Sequence, residues 1–281
     1  MRDYSKTFNG KDKFELVKYL RYLNFSYTSI SKITDLPRST IANWINGSIP
    51  MLMKFNIDSN PVVNPSKEFA YVFGVIMGDG YLSIKKGNAR MGLKVKDPDF
   101  AINFKNNLEI LTNKKVKYEV YQNFHKVTLN SREWCDKIEN YRTTEFLSLS
   151  YDLKIAFISG LFDSEGAVIA DNLNNRKKAK RWVHFSNNNN KELIDLLSNL
   201  FEEAGLKFKI TSRIHSGFGS KKIQYELIFY GIKNMVWFYE NRIFNIKRKT
   251  DKLKAAMDSF EEKNINTAYR ELNIRRIDSN G

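Results

Sequence analysis

The chain has 281 residues, with 42% apolar and 14% aromatic side chains, enough for one large or two modest domains. Its 46 Lys and Arg outweigh 31 Asp and Glu for a net charge of +15, which points to a polyanionic partner, nucleic acid or an anionic membrane surface. The longest apolar run, Phe69 to Gly78, is too short to span a bilayer, and a lone cysteine, Cys135, leaves no intrachain disulfide.

Residues 1–55 are expected to form a small all-α unit. Phe14, Val17, Leu20, Tyr22 and Leu23 carry a helical period. A short helix with Ile30 and Ile33 inward follows, then a turn at Thr34 to Leu36. Pro37 opens the next helix, which turns Ile41, Trp44 and Ile45 inward and stops at Gly47. Arg38, Ser39, Thr40 and Asn43 are left outward. Residues 56–65, rich in Asn and Pro, read as a linker, and Ser66 caps the helix beyond it.

The period then changes. Tyr81 to Ile84 and Arg90 to Val95 read as strands around a turn at Lys85, Lys86, Gly87 and Asn88. Asp97 and Pro98 open a helix, two strands follow within residues 117–130, and a helix runs through Trp134 and Ile138. Trp134 and Cys135 are expected in the core. Residues 151–281 repeat the order with a helix to Glu165, strands near 167–170 and 182–186, and a helix over 191–204. Strands near 208–214 and 223–229 come next, then helices near 233–242 and 250–260. The order α-β-β-α-β-β-α therefore occurs twice, in 66–150 and in 151–281. The polar stretch after Lys263 is assigned no structure.

Each repeat opens on the same short pattern. Val72 to Gly80 and Ile158 to Gly166 are apolar runs ending in an acid and a glycine. Small residues stand five and one positions before each acid: Gly74 and Gly78 before Asp79, Gly160 and Ser164 before Glu165. Residues four apart share a helix face, and faces without bulk can pack backbone to backbone. Such packing would bring Asp79 and Glu165 side by side. Paired carboxylates without a positive partner repel, so a divalent cation is the natural third party. Taken singly, each acid-glycine pair is also an ordinary way to end a helix; the joint repeat favours the paired reading.

These residues resemble the LAGLIDADG homing endonucleases of the two-motif, single-chain type. The match is close at Ile158 to Gly166 and looser at Val72 to Gly80, where Met77 stands in the place that Asp163 fills in the second copy. The resemblance implies an α+β protein: a pseudo-twofold tandem αββαββα fold whose twisted antiparallel sheets saddle into the major groove of DNA. It implies that Asp79 and Glu165 hold Mg2+ or Mn2+ between the scissile phosphates, with the carbonyls of Gly78 and Ser164 as further ligands. It also implies a monomer acting on a double-stranded target site.

Further candidates surround that centre. Lys94 and Lys96 alternate with Leu93 and Val95 and so share the sheet face opposite the core. Lys96 would serve as the basic residue that family active sites commonly carry, or both lysines simply bind phosphate. Lys85, Lys86, Arg176, Lys177, Lys178, Lys180, Arg181 and Arg213 are expected DNA contacts, those from Arg176 to Arg181 to phosphate, although charge runs are often only solvated faces. Asn187 heads a run to Asn190 that would cap a helix, order water or contact bases. The front unit resembles a helix-turn-helix with Arg38, Ser39, Thr40 and Asn43 as readers, or is a plain helical bundle.

The leading expectation is a site-specific, metal-dependent DNA endonuclease, intron-encoded or free-standing. An RNA-binding maturase assisting its own intron is a second class, and a DNA-binding regulator on a silenced nuclease scaffold a third. Retention of both acids favours cleavage. The residues from Met1 to Lys6 lack the apolar stretch of a secretory signal, and the single cysteine fits a reducing cytoplasm, with an organellar origin left open.

Overall fold

A computed structural model describes residues 10–46, 65–85, 88–175, 178–188, 190–217 and 220–274. The chain divides into two compact units, Met1–Val62 and Val63–Gly281.

The first unit has three helices, α1 (Gly10–Tyr22), α2 (Tyr27–Thr34) and α3 (Arg38–Ile45). The Ser26 hydroxyl accepts the Ser29 N–H and starts α2. Asp35, at φ 55°, ends it in the left-handed conformation that short polar side chains tolerate. Val17, Leu20, Ile30 and Ile41 form the core, and Trp44 stands edge-on to Phe14. Two expectations need correction. Ile33 is 48% exposed, because an eight-residue helix turns one face inward and Ile30 and Thr34 occupy it. The Thr34 hydroxyl is made tolerable there by donating to the Ile30 carbonyl at 2.7 Å. Tyr22 and Leu23, at the end of α1, are likewise exposed. The stop at Gly47 and the linker up to residue 64 lie outside the described residues.

The second unit holds the repeat. Its first half runs α4 (Lys67–Met77), β1 (Tyr81–Lys85), β2 (Asn88–Val95), α5 (Pro98–Thr112), β3 (Lys117–Tyr121), β4 (Phe124–Asn130) and α6 (Arg132–Asn140). A 3-10 helix, Thr143–Ser148, leads into the second half. That half runs α7 (Tyr151–Glu165), β5 (Gly166–Asp171), β6 (Lys180–Asn188), α8 (Lys191–Glu203), β7 (Lys209–Gly217), β8 (Ser220–Tyr230) and α9 (Ile232–Glu240). The sheets have equivalent orders, β1-β2-β4-β3 and β5-β6-β8-β7, antiparallel throughout. The repeat of element order read from the sequence is thus present in the fold.

Strand alternation assigns the faces. In the first sheet Met91, Leu93, Val127 and Leu129 are buried, and in the second Val183, Phe185, Leu227 and Phe229. These side chains meet α4, α7 and the outer helices in one continuous core. Phe162 is its hub in the second half, ringed by Phe185, Phe201, Phe229, Phe238 and Phe244. Full burial of such a ring contributes about 2–3 kcal/mol. Cys135 is buried, as expected.

Two helices extend the second half, α10 (Lys247–Asp258) and α11 (Glu262–Glu271). The latter occupies the stretch to which the sequence assigned nothing. Its Ile265, Ala268 and Tyr269 form a narrow stripe that packs with Val236 and Met257 in a satellite core. No helix among the described residues is long and apolar enough to cross a membrane.

Candidate active site and nucleic-acid interface

The centre of the second unit is the contact between α4 and α7, where the small residues do what their spacing predicts. A Cβ on Gly74 would lie 2.4 Å from the Phe157 carbonyl oxygen, and one on Gly160 would lie 2.2 Å from that of Tyr71. Backbone therefore touches backbone. Further along, a Cβ on Gly78 would lie 2.4 Å from the Ser164 Cβ and 3.3 Å from the Glu165 Cγ. The helices are still in contact where their acids begin.

Both acids occupy helix-to-strand junctions. The N–H groups of Gly78 and Gly80 both donate to the Val75 carbonyl, folding the chain over at Asp79 before β1 starts. Glu165 is the last residue of α7, and β5 begins immediately after it. Asp79 is exposed as a residue and Glu165 half-buried. Partial loss of water lifts the Asp79 carboxyl above the ordinary range; the Lys249 charge opposes this and the Asp97 charge adds to it. Glu165 is raised by burial first and then by the charge of Asp79, again against Lys249. No hydrogen bond or ion pair from a described residue is found at either carboxylate.

The second motif carries a polar hub that the first lacks. Asp163, only 1% exposed, accepts from the Tyr71 hydroxyl, the Asn245 N–H and the Asn245 side-chain amide, each at 2.8 Å. The same amide also donates to the Ser159 hydroxyl at 2.7 Å. Burial raises the Asp163 carboxyl, and these donors pull it back down. Tyr71 lies on α4 and Asn245 precedes α10, so the hub joins three segments.

Lys249 is the basic group nearest in effect to the two acids, and the sequence reading missed it. It is 4% exposed, and its ammonium donates to the carbonyls of Phe162 and Asp163 at 2.9 and 2.6 Å. Burial brings it down to about 8 against the favourable charge of Asp163. Its signal was a lysine in register with the apolar stripe of Leu253, Ala256 and Met257. Lys96, expected in this role, is exposed, with its ammonium 5.6 Å from the Phe124 ring centre. The Lys94 ammonium lies over the same ring at 4.7 Å.

The outer sheet faces are basic. Register places Lys85, Arg90, Lys94, Lys117 and Lys126 on the face of the first sheet opposite the core, and Lys180, Lys209 and Arg213 on that of the second. Gly92 leaves room there for the Tyr81 ring, whose hydroxyl pairs with that of Thr128 at 3.2 Å. Arg213 reaches the outer face but is held by Glu226 and Gln224, each at 2.9 Å. Lys178 is exposed in the turn after β5, whereas Lys86, Arg176 and Lys177 lie outside the described residues. Arg181 corrects its expectation. Alternation turns it to the core side, where it donates to Ser259 and stacks 4.1 Å from the Phe260 ring centre. Asn187 shares that parity and is half-buried. It is Asn190 that caps α8, accepting the Leu193 N–H at 3.0 Å. In the first unit Arg38, Ser39 and Asn43 are exposed and Thr40 is half-buried.

Residues 152–241 match the family model of a LAGLIDADG-like domain. Two uncharacterized proteins of Methanocaldococcus jannaschii are similar to the chain. One is 28% identical over 168 residues, covering 56% of this chain and 63% of that protein. The other is 28% identical over 283 residues, covering 92% of this chain and 98% of that protein. Among solved structures, the homing endonuclease I-DmoI in complex with DNA and calcium aligns at TM-score 0.49 and 18% identity, over 67% of this chain and 97% of that one. The homing endonuclease I-WcaI bound to its DNA recognition sequence aligns at 0.45 and 13%, over 73% and 96%. The N-terminal LAGLIDADG domain of DUF199/WhiA aligns at 0.43 and 17%, over 70% and 90%.

Proposed function

We propose that this chain, a two-repeat LAGLIDADG protein, is a site-specific, divalent-metal-dependent DNA endonuclease that hydrolyses one phosphodiester in each strand of a duplex. The observation that carries the reading is the delivery of Asp79 and Glu165, by backbone-to-backbone packing at Gly74 and Gly160, to the junctions from which two basic-faced sheets begin.

The donor set suits a divalent cation. Two carboxylates, both raised by burial and Glu165 further by the charge of Asp79, form a site short of positive charge. Asp79 and Glu165 would hold the ion, with the carbonyls of Gly78 and Ser164 as supplementary oxygen ligands, the donor type that magnesium and manganese prefer. Such an ion supplies Lewis acidity and an activated water for phosphodiester hydrolysis. The protein's own part is positional. Gly74 and Gly160 fix the spacing of the acids, and the lysines and arginines of the sheet faces neutralise phosphate and set the register of the duplex. Base edges are read by the strands in the major groove. One chain with two half-sites acts as a monomer, and α3 adds a contact through Arg38, Ser39, Thr40 and Asn43.

The decisive experiment is selection of cleaved duplexes from a random-sequence library in magnesium, repeated with chelator. The expected result is a single enriched site, cut in both strands only with metal. Asp79→Asn or Glu165→Gln should abolish double-strand cleavage while leaving affinity for that site largely intact. A protein that binds an enriched sequence but never cuts it would instead be a regulator on a silenced scaffold.

A further inference from the structure

The segment 245–249 packs against the last turns of α7, just before Glu165, and lies beyond the matched family domain, residues 152–241. Successive residues grip opposite halves of the second unit. Asn245 binds Asp163 and Ser159 on α7. The Lys247 N–H donates to Asp99 at 2.6 Å, and Arg248 forms a two-pronged pair with Asp97 at 2.7 and 2.8 Å, both at the start of α5 in the first repeat. Lys249 then turns inward and donates to the carbonyls of Phe162 and Asp163. The segment is a strap across both repeats, closing where α7 ends.

Lys249 donates to two carbonyls in the last turn of α7, that of Asp163 and that of Phe162, which also accepts the Gly166 N–H, and places its charge at the negative end of that helix. A polar N–H donor without charge would suffice for the first task. A full charge, almost wholly buried, has a further consequence. It is the one buried Lys or Arg among the described residues, and Asp79 and Glu165 both feel it. A fixed cation so placed offsets the repulsion between the acids before any ion arrives, and then competes with that ion.

We infer that Lys249, carried in by the strap of residues 245–249, is a positioning residue of the active centre whose fixed charge sets how tightly Asp79 and Glu165 hold their divalent cation. The inference rests on the assignment of those two acids as the metal site. It makes a segment outside the family domain part of the catalytic centre.

The test is titration of the free, full-length protein with Mn2+ alone, followed by calorimetry or by the paramagnetic relaxation of water. Lys249→Gln keeps an N–H donor for the carbonyls and removes the charge. It should bind Mn2+ on the order of tenfold more tightly than wild type, the gain from deleting a nearby like charge in a partly shielded site. Lys249→Arg keeps the charge and should stay within about twofold of wild type on the same ground. A residue with a merely structural role would weaken binding in both variants or change neither. If Lys249→Gln does not fold, Asn245→Ala loosens the strap without altering its charge, and a tightening of the same sign is expected. Acid-dependent Mn2+ binding that ignores these substitutions, or weakens with them, overturns this inference alone. Binding that survives the combined Asp79→Asn and Glu165→Gln change overturns the metal-site reading and this inference with it.

Discussion

Gly160 and Tyr71 are in backbone contact: a methyl group on the glycine would stand 2.2 Å from the tyrosine carbonyl oxygen. No side-chain adjustment can relieve that clash, because the obstacle is main chain. Gly160→Ala must therefore push α7 away from α4. A destabilisation of about 3 kcal/mol is expected, the upper end of ordinary overpacking. Urea denaturation of the purified variant measures it. Gly74→Ala, at 2.4 Å from the Phe157 carbonyl, should behave alike, and a loss below about 1 kcal/mol in both would show that the helices have room to separate.

The acids themselves should reduce stability. Asp79 and Glu165 both titrate above the ordinary carboxylate range in the folded protein. A raised carboxyl means that the folded state holds its proton more firmly than the unfolded chain, so stability falls as pH rises through that window. At neutral pH both groups are ionised and the folded state carries their repulsion and burial. Asp79→Asn and Glu165→Gln should each raise the melting temperature at pH 7, and the gain should vanish near pH 3, where the carboxyls are protonated in both states. Equal or lower melting temperatures at pH 7 would contradict the assigned environment of the acids.

Adjacent basic residues on β6 should behave oppositely. Lys180 faces outward and is exposed, whereas Arg181 faces the core side and holds Ser259. On a random-sequence duplex, Lys180→Gln is expected to reduce the slope of log affinity against log salt by about one, the loss of one phosphate contact. Arg181→Gln should leave that slope unchanged and lower stability by about 1 kcal/mol, as loss of a part-buried hydrogen-bonded group does. Anisotropy across a salt series, with a melt of each variant, separates the two. Equal slope changes would mean that the strand register does not govern DNA contact.

This pair also marks how far sequence reasoning reaches. Period and spacing made the architecture legible: the duplicated order of elements and the glycines at positions 74, 78 and 160 follow from local rules that act within a few residues. The outward face of Lys94 follows from simple alternation. The charge run from Arg176 reads as one unit in the sequence, but alternation within β6 sends its neighbours to opposite faces and turns Arg181 to the core side. Asn245 and Lys249 were invisible for a different reason. Their partners, Asp163 and the end of α7, are long-range, and no local rule states which helix end a distant lysine will cap. The α11 helix was missed because its three buried residues lie among polar ones, so its stability comes from the surface of α9 more than from its own composition.

The front unit offers a separable test of DNA contact. Arg38 and Asn43 are exposed on the same helix. In the full-length protein Arg38→Gln should lower the salt slope by about one, and Asn43→Ala should weaken the selected site more than random sequence, since an amide reads base edges. Affinity and slope unchanged in both variants would remove this helix from the interface and leave the unit as a plain bundle.

Tyr71→Phe tests the hub that distinguishes the second motif from the first. The substitution deletes one of the three hydrogen bonds to a buried carboxylate and adds no bulk. The donor favours the charged form of Asp163, so its loss raises the folded-state affinity for a proton still further. By linkage the cost is full above that folded-state titration and shrinks as pH falls through it, because a protonated Asp163 depends less on the hydroxyl. A loss of about 2 kcal/mol is expected at pH 8, narrowing toward pH 4. Urea denaturation at both pH values reads the difference. Since Asn245 shares the hub and leads directly into Lys249, Mn2+ affinity should shift in Tyr71→Phe with the same sign as in Asn245→Ala, though by less, as Asn245 retains its own bonds to Asp163 and Ser159. A pH-independent loss would mean that Tyr71 contributes only its ring.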